Sequence, residues 1–173
     1  MKKTICLVFM LSVFAVVLRP SLAMGQFFFL ENENVGKPVK DFTLKTVGGA
    51  PVSLTDFRQS GKTVIFFWAT WCPHCRRELT ELNKNKALWD QKGIKVALVD
   101  VGEQEEVVRQ YAQSNNIGMT IFLDESTSVA EDYGLVGVPT FYLVDKQGIV
   151  RHVDHAMPED YEAILEGSSK SVK

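Results

Sequence analysis

Hydrophobic and polar positions follow two alternating patterns along this chain of 173 residues. Runs of apolar, β-branched and aromatic residues predict strands, and apolar residues three or four positions apart predict helices. The predicted strands are 41–46, 52–54, 62–69, 94–101, 120–123, 140–145 and 149–154. The predicted helices are a short turn at 55–57 followed by 73–89, 104–114, 126–133 and 158–166. Strands that alternate with helices and end in an antiparallel hairpin indicate an α/β domain with a mixed central sheet.

The most informative chemistry lies where the strand 62–69 gives way to the helix 73–89. The strand is almost continuously apolar, which is typical of a central strand covered on both faces. The segment that follows it reads Trp71-Cys72-Pro73-His74-Cys75. Two thiols three residues apart at a strand-to-helix junction indicate a dithiol/disulfide couple that exchanges electrons with the cysteines of other proteins.

The spacing of the two cysteines assigns them different roles. Residues three apart on a helix share one face, with Cβ atoms roughly 5 to 6 Å apart, so Cys72 and Cys75 can close a disulfide. Pro73 suits the first helical position, which leaves Cys72 beside the unpaired N–H groups of the helix terminus, where a thiolate is favoured. We therefore expect Cys72 to be the attacking sulfur and the more buried Cys75 to resolve the mixed disulfide. His74, when protonated, adds a positive charge beside the thiolate.

The N-terminal segment 1–23 has the pattern of an export signal. A basic start precedes an apolar core at 5–18, and small residues at 21–23 form a cleavage site. An uncleaved anchor that tethers the protein to the membrane is the alternative. The third cysteine, Cys6, lies inside this segment, so one pair remains after export. We expect a periplasmic or extracytoplasmic location, where thiols become oxidised unless a donor supplies electrons.

The remaining chain has the size and charge of one acidic domain. Cleavage after residue 23 removes three of the 19 basic residues and none of the 21 acidic residues, which leaves a formal charge of −5. Nothing in that balance favours nucleic acid as a partner. We predict a connector at 24–34, a domain at 35–167 and a flexible tail at 168–173.

Two motifs resemble the thioredoxin superfamily, in particular its exported TlpA/ResA-like thiol-disulfide oxidoreductases. They are Phe67-Trp68-Ala69-Thr70-Trp71-Cys72-Pro73-His74-Cys75 and Gly137-Val138-Pro139-Thr140-Phe141-Tyr142-Leu143-Val144-Asp145. The stretches 35–42 and 54–57 are similar to the N-terminal hairpin of this subgroup, so the resemblance covers about residues 35–166. It implies a thioredoxin-like fold, in which helices flank a mixed central sheet and a β-hairpin extends the N-terminus.

The resemblance also implies roles for residues outside the cysteine pair. Pro139 is expected to be cis and to pack opposite the cysteines, with the backbone of Val138 binding an extended substrate segment. Glu78, three residues after Cys75, is expected to tune the cysteines and to accept the proton that Cys75 loses. Trp71 is expected to shield the disulfide and to shape the substrate groove.

Two departures from the family pattern bear on function. Cytosolic thioredoxins carry a buried acid where this chain has Phe66, and Glu78 is a candidate substitute. The Pro-His dipeptide between the cysteines is the setting of the oxidising DsbA proteins, whereas the stretch from Cys75 to Pro139 is too short for their helical insertion. The architecture favours a disulfide reductase, fed by a membrane electron donor and acting on disulfide-containing or dithiol-containing proteins in cytochrome c maturation or more generally. A DsbA-like oxidase is the alternative.

Other classes of function are less consistent with the pattern. A zinc site could use the two cysteines together with His152 and His155, and a substrate-holding module could use the groove near Pro139. A peroxiredoxin would carry a lone reactive cysteine in a different context. We expect no cofactor and no resident metal.

Overall fold

The computed structural model describes residues 32–167. The predicted signal or anchor segment, most of the predicted connector and the predicted tail lie outside the described residues. Within 32–167, none of the helices combines the length and apolar character needed to cross a bilayer.

The described residues form strands and helices close to those predicted from the sequence. The strands are β1 (Thr43–Thr46), β2 (Pro51–Ser53), β3 (Lys62–Trp68), β4 (Ile94–Val101), β5 (Ile121–Asp124), β6 (Thr140–Val144) and β7 (Val150–Asp154). The helices are α1 (Leu54–Arg58), α2 (Pro73–Lys84), α3 (Lys86–Gln91), α4 (Glu105–Ser114), α5 (Ser128–Asp132) and α6 (Tyr161–Leu165).

The seven strands form one mixed sheet in the order β2-β1-β5-β4-β3-β6-β7. Strands β3, β4 and β5 are parallel neighbours, and β6 and β7 add to the β3 side in antiparallel orientation. The N-terminal hairpin of β1 and β2 joins the opposite side through antiparallel pairing of β1 with β5. The mixed sheet with an N-terminal hairpin is therefore confirmed.

The alternation of side chains along β3 divides the core between the two faces of the sheet. Phe66 and Trp68 point to the face covered by α2, where they join Cys75 and the other apolar residues of that helix. Phe67 points to the opposite face, in a cluster with residues of the N-terminal hairpin and α5. Because both faces of the sheet are covered there, β3 is buried from its second residue onward. The segment that carries the cysteines therefore begins at a strand held in place by the core.

The single helix predicted for 73–89 is wrong, since the structure divides it into α2 and α3 at Asn85. The Asn85 side chain donates to the Glu81 carbonyl (2.9 Å). The Asn85 backbone, with φ −94° and ψ 13°, is no longer in the α-helical conformation. Asparagine side chains compete with the helix for backbone partners in this way. The Trp89 indole then donates to the Leu82 carbonyl (3.0 Å) and keeps its side chain in the core.

Candidate active site

The segment between β3 and α2 places Cys72 at the N-terminus of α2. The chain turns directly after β3, where the Cys72 N–H donates to the Ala69 carbonyl (3.2 Å). Cys72 has extended backbone geometry and is the N-cap of α2, and its Sγ accepts the backbone N–H of Cys75 (3.2 Å). Pro73 occupies the first helical turn, as predicted. The sulfur therefore takes the place of the side-chain oxygen that usually caps a helix.

Cys72 and Cys75 form a disulfide, with Cα atoms 5.2 Å apart. Cys72 is 5% exposed, whereas Cys75 is completely buried. A partner can reach a sulfur of this pair only through Cys72, because no surface of Cys75 contacts solvent. Cys75 is thus the more buried of the two cysteines, as predicted.

The loop before β6 approaches the disulfide from the other side of the site. The Val138–Pro139 bond is cis, as the resemblance implies, and the Val138 carbonyl oxygen lies 3.8 Å from Cys72 Sγ. The disulfide sulfur carries no hydrogen, so this contact can become a hydrogen bond only when Cys72 is reduced to a thiol. Val136 is 91% exposed and Trp71 is 67% exposed. The segment before α2 and the loop before β6 thus each carry an exposed apolar side chain.

His74 and Glu78 lie one helical turn apart on α2. His74 Nε2 is 3.4 Å from Glu78 Oε1, and the pair is ionic only when the imidazole is protonated. The Glu78 side chain is mostly buried, whereas that of His74 is about half exposed. Glu78 also follows Cys75 by three positions, so the two residues share one side of the helix. Glu78 therefore lies on the side of α2 that carries Cys75, with the His74 imidazole as its neighbour.

Glu103 was not predicted to belong to the site, although it binds the segment that precedes the cysteines. It follows β4, and both of its carboxylate oxygens bind Thr70. The sequence signal is an acid two positions after a buried strand, and parallel pairing of that strand with β3 brings the acid to the end of the sheet where the cysteine segment begins. Glu103 links this end to the residue that precedes Trp71.

Asp100 is a second acid that the sequence analysis missed. It pairs with Trp68 across β4 and β3, and alternation along β4 points its side chain toward the cysteine face. The side chain is completely buried, and neither carboxyl oxygen has a hydrogen-bond partner of ordinary geometry among residues 32–167. Burial, reinforced by the neighbouring Glu103, raises the pKa of Asp100 to about 8. The buried acid that is absent at Phe66 is thus present on the neighbouring strand as Asp100. Asp100 and Glu78 are both candidates to take its place.

The two histidines considered for a zinc site are not gathered with the cysteines. Among the described residues 32–167, no three side chains of His, Cys, Asp or Glu are grouped closely enough to hold a metal ion. His152 Nε2 lies 3.6 Å from Asp154 Oδ2. His155 Nδ1 lies 2.7 Å from the Pro139 carbonyl oxygen. His155 therefore belongs with the cis-proline loop.

Comparison with known proteins agrees with this site. The AhpC/TSA family model matches residues 35–153. The thiol-disulfide oxidoreductase ResA of Geobacillus thermodenitrificans is 33% identical over 128 residues, which cover 73% of each chain. A relative at this identity and coverage shares both the fold and the family of the chain.

Solved structures give the same result. A putative thiol:disulfide interchange protein DsbE from Chlorobium tepidum is 29% identical with a TM-score of 0.66, and the match covers 78% of this chain and 94% of that one. StoA from Bacillus subtilis is 25% identical with a TM-score of 0.61, covering 78% and 99%. The family match, the relative and the fold agree with the buried CxxC disulfide beside a cis-proline: the chain belongs to the AhpC/TSA family and, within the thioredoxin superfamily, to the TlpA/ResA-like thiol-disulfide oxidoreductases.

Proposed function

We propose that this oxidoreductase acts as a disulfide reductase on proteins outside the cytoplasm. The Cys72 thiolate attacks one sulfur of a partner disulfide, which forms a mixed disulfide and releases the other partner sulfur as a thiolate that takes up a proton. The Cys75 thiolate then attacks Cys72 Sγ, closes the Cys72–Cys75 disulfide and releases the second partner sulfur. The partner gains two electrons and the enzyme loses two.

The observation that carries this order of attack is the capping of α2 by sulfur. Cys72 Sγ already accepts the Cys75 N–H at 3.2 Å, and the same donor can stabilise the negative charge of a Cys72 thiolate. Cys75 is fully buried, so it meets a partner only after Cys72 has brought one to the site. The two cysteines are therefore chemically alike but differ in access and in hydrogen bonding.

Partner binding is proposed to use the loop before β6. The backbone of Val138 pairs with an extended segment of the partner, and the cis bond to Pro139 presents that backbone toward Cys72. The exposed side chains of Trp71 and Val136 supply apolar contact on either side of the partner cysteine. The 3.8 Å distance between Val138 O and Cys72 Sγ supports this arrangement, since a partner strand on Val138 would lie against the reactive sulfur.

Proton transfer is assigned to Glu78. Cys75 must lose its proton before it attacks the mixed disulfide, and a mostly buried carboxylate on the same helical face can accept it. His74, 3.4 Å from Glu78, orients that carboxylate and contributes positive charge near the Cys72 thiolate when it is protonated. Pro73 starts the helix that holds all of these groups.

The N-terminal sequence 1–23 supports a proposal for the location of the protein, and the location in turn bears on its source of electrons. We propose that this segment directs export or serves as a membrane tether, that 24–34 connects it to a catalytic domain at 35–167, and that 168–173 form a tail. In an oxidising compartment a reductase needs a donor, and we assign that role to a membrane dithiol protein. Partners of the cytochrome c maturation type or general misoxidised proteins fit the same chemistry.

The reduction potential of the Cys72–Cys75 couple tests the direction of electron flow. The full chain is equilibrated with dithiol/disulfide buffers of defined potential, and free thiols are counted by alkylation and mass spectrometry. A potential near that of thioredoxin, about −270 mV, supports the reductase. A potential near that of DsbA, about −120 mV, contradicts it and makes the protein an oxidase, as the Pro-His dipeptide alone would favour.

A further inference from the structure

The loop that presents Val138 is held by a side chain from the neighbouring strand. His155 directly follows β7, and its Nδ1 lies 2.7 Å from the Pro139 carbonyl oxygen and 3.4 Å from Thr140 Oγ1. The backbone N–H of His155 donates to the Asp154 carboxylate (2.6 Å), which holds the backbone from which the imidazole extends. The imidazole therefore bridges the end of β7 and the cis-proline at the start of β6.

The partners of Nδ1 determine where the imidazole proton lies. A carbonyl oxygen accepts hydrogen bonds and cannot donate them. The Thr140 hydroxyl donates its hydrogen to the Gly137 carbonyl (2.7 Å), so it too faces Nδ1 with a lone pair. Nδ1 must then carry a hydrogen, whether the ring is neutral or protonated. Nδ1 is thus a committed donor to Pro139.

These bonds hold the cis-proline loop at two points beside the reactive sulfur. Thr140 ties the loop at Gly137 and His155 ties it at Pro139, and Val138 lies between them with its carbonyl 3.8 Å from Cys72 Sγ. The exchange reaction between the sulfur atoms does not itself require these two bonds. We infer that His155 is a positioning residue that holds the backbone of Val138 in place for a polypeptide partner.

This inference rests on the proposed function and separates two kinds of substrate. A protein disulfide must dock on Val138 before it reacts, whereas a small disulfide such as hydroxyethyl disulfide reaches Cys72 without using the loop. Loss of one hydrogen bond of this kind corresponds to about a two- to tenfold change in rate. We expect His155→Ala to lower kcat/KM toward a disulfide-bonded peptide by that factor, mainly because KM rises. The rate with hydroxyethyl disulfide and the reduction potential stay unchanged.

Two amide variants test the role of Nδ1 itself. The side-chain nitrogen of His155→Asn branches from the same atom as Nδ1 and can replace its N–H, whereas that of His155→Gln lies one bond farther out. We expect His155→Asn to restore most of the peptide rate and His155→Gln to restore little. His152→Asn is the control for loss of the other imidazole of β7: its ring nitrogen lies 3.6 Å from Asp154, whose carboxylate also accepts the His155 N–H, and we expect the peptide rate to stay at the wild-type value.

The experiment uses the reduced full chain in single turnovers, with oxidised and reduced enzyme separated by acid quench and alkylation. If the wild-type chain reacts with neither disulfide, the proposed function fails rather than the role of His155. If the wild-type chain is active and His155→Ala equals it, or slows both substrates alike, the inference is overturned. A selective loss that His155→Asn does not restore also overturns it, because the ring would then act through its other edge.

Discussion

Both carboxylate oxygens of Glu103 bind Thr70, one through the backbone N–H (2.5 Å) and the other through the hydroxyl (2.7 Å). Thr70 lies two residues before Cys72, in the turn that follows β3. Glu103 lies just beyond β4, the parallel neighbour of β3. The position of Cys72 therefore depends on a carboxylate that follows the adjacent strand as well as on its own helix.

Replacement of Glu103 by Gln should loosen the turn before the cysteines. A glutamine side chain offers one oxygen acceptor and a nitrogen donor, so it cannot accept both hydrogens of Thr70. We expect a loss of about 1.5–3 kcal/mol in the free energy of unfolding, the range for a hydrogen bond to a charged group. Urea denaturation of the oxidised protein measures this loss, and single-turnover peptide reduction should slow with it.

Glu105→Gln is the control for this variant. Glu105 Oε1 accepts the Gly48 N–H (3.1 Å) at the β1–β2 hairpin, so the variant alters a similar bond away from the cysteines. If Glu103→Gln and Glu105→Gln have the same effect on peptide reduction, the link between Glu103 and the active site is wrong.

Asp100 should make the stability of the protein fall as pH rises. Its pKa of about 8 lies above the ordinary value of 3.8 because the carboxyl is buried next to Glu103. Between those two values the folded state keeps the proton that the unfolded chain releases, so the free energy of unfolding decreases from about pH 4 to pH 8.

Asp100→Asn tests this dependence because the amide cannot ionise. We expect the wild type to lose stability relative to the variant as pH rises from about 4 to about 8, by up to about 1.4 kcal/mol per pH unit, the slope for one proton that only the folded state keeps. Urea denaturation at three pH values measures it. Asp90→Asn removes an exposed carboxylate of α3 that pairs with Lys86 and should leave the slope unchanged. A pH-independent difference for Asp100→Asn would contradict the assignment.

The central strands of the sheet were predictable because their apolar pattern is local and strong. Strand β4 was predicted at its observed bounds, since a long run of apolar residues has few alternatives. The break at Asn85 was not predictable from periodicity, because it depends on the backbone conformation of one residue, whose side chain shares the Glu81 carbonyl with its own backbone N–H. Apolar spacing continues across that break, and so do the backbone hydrogen bonds from Asn85 to Glu81 and from Trp89 to Asn85.

The active site likewise contains residues that local sequence predicted and residues that it did not. Cys72, Pro73 and Cys75 are adjacent in sequence, so their spacing alone predicted the disulfide and the N-terminal sulfur. Asp100 and Glu103 enter the site through the pairing of β4 with β3, and the order of strands is not readable from a single motif. His155 is more than 80 positions from Cys72 in sequence and reaches the site through β7, so the sequence pattern indicated for it only the role of a zinc ligand.

Glu78→Gln should slow the second step of exchange more than the first. Glutamine keeps the shape of the side chain but cannot accept the proton of Cys75, and general base catalysis typically contributes about 100-fold or more. We expect the mixed disulfide between Cys72 and a peptide to accumulate, because its formation continues while its resolution slows. Acid quench followed by mass spectrometry measures both species over time.

Glu81→Gln is the matched control for Glu78, since Glu81 lies on the same helix with an exposed side chain that pairs with Lys84. That variant should resolve its mixed disulfide at the wild-type rate. If Glu78→Gln slows the formation of the mixed disulfide and leaves its resolution unchanged, the proton acceptor of Cys75 lies elsewhere.

Cys75→Ser should trap partner proteins on Cys72. The exposed edge of Cys72 can still attack a disulfide, and the buried serine that replaces Cys75 cannot resolve the product. We expect covalent adducts that appear on non-reducing gels and disappear with dithiothreitol. Cys72→Ser is the matched control, because it keeps Cys75 and Cys6, so adducts formed through either of those thiols would appear in it as well. Equal adducts in the two variants would mean that Cys72 is not the attacking sulfur.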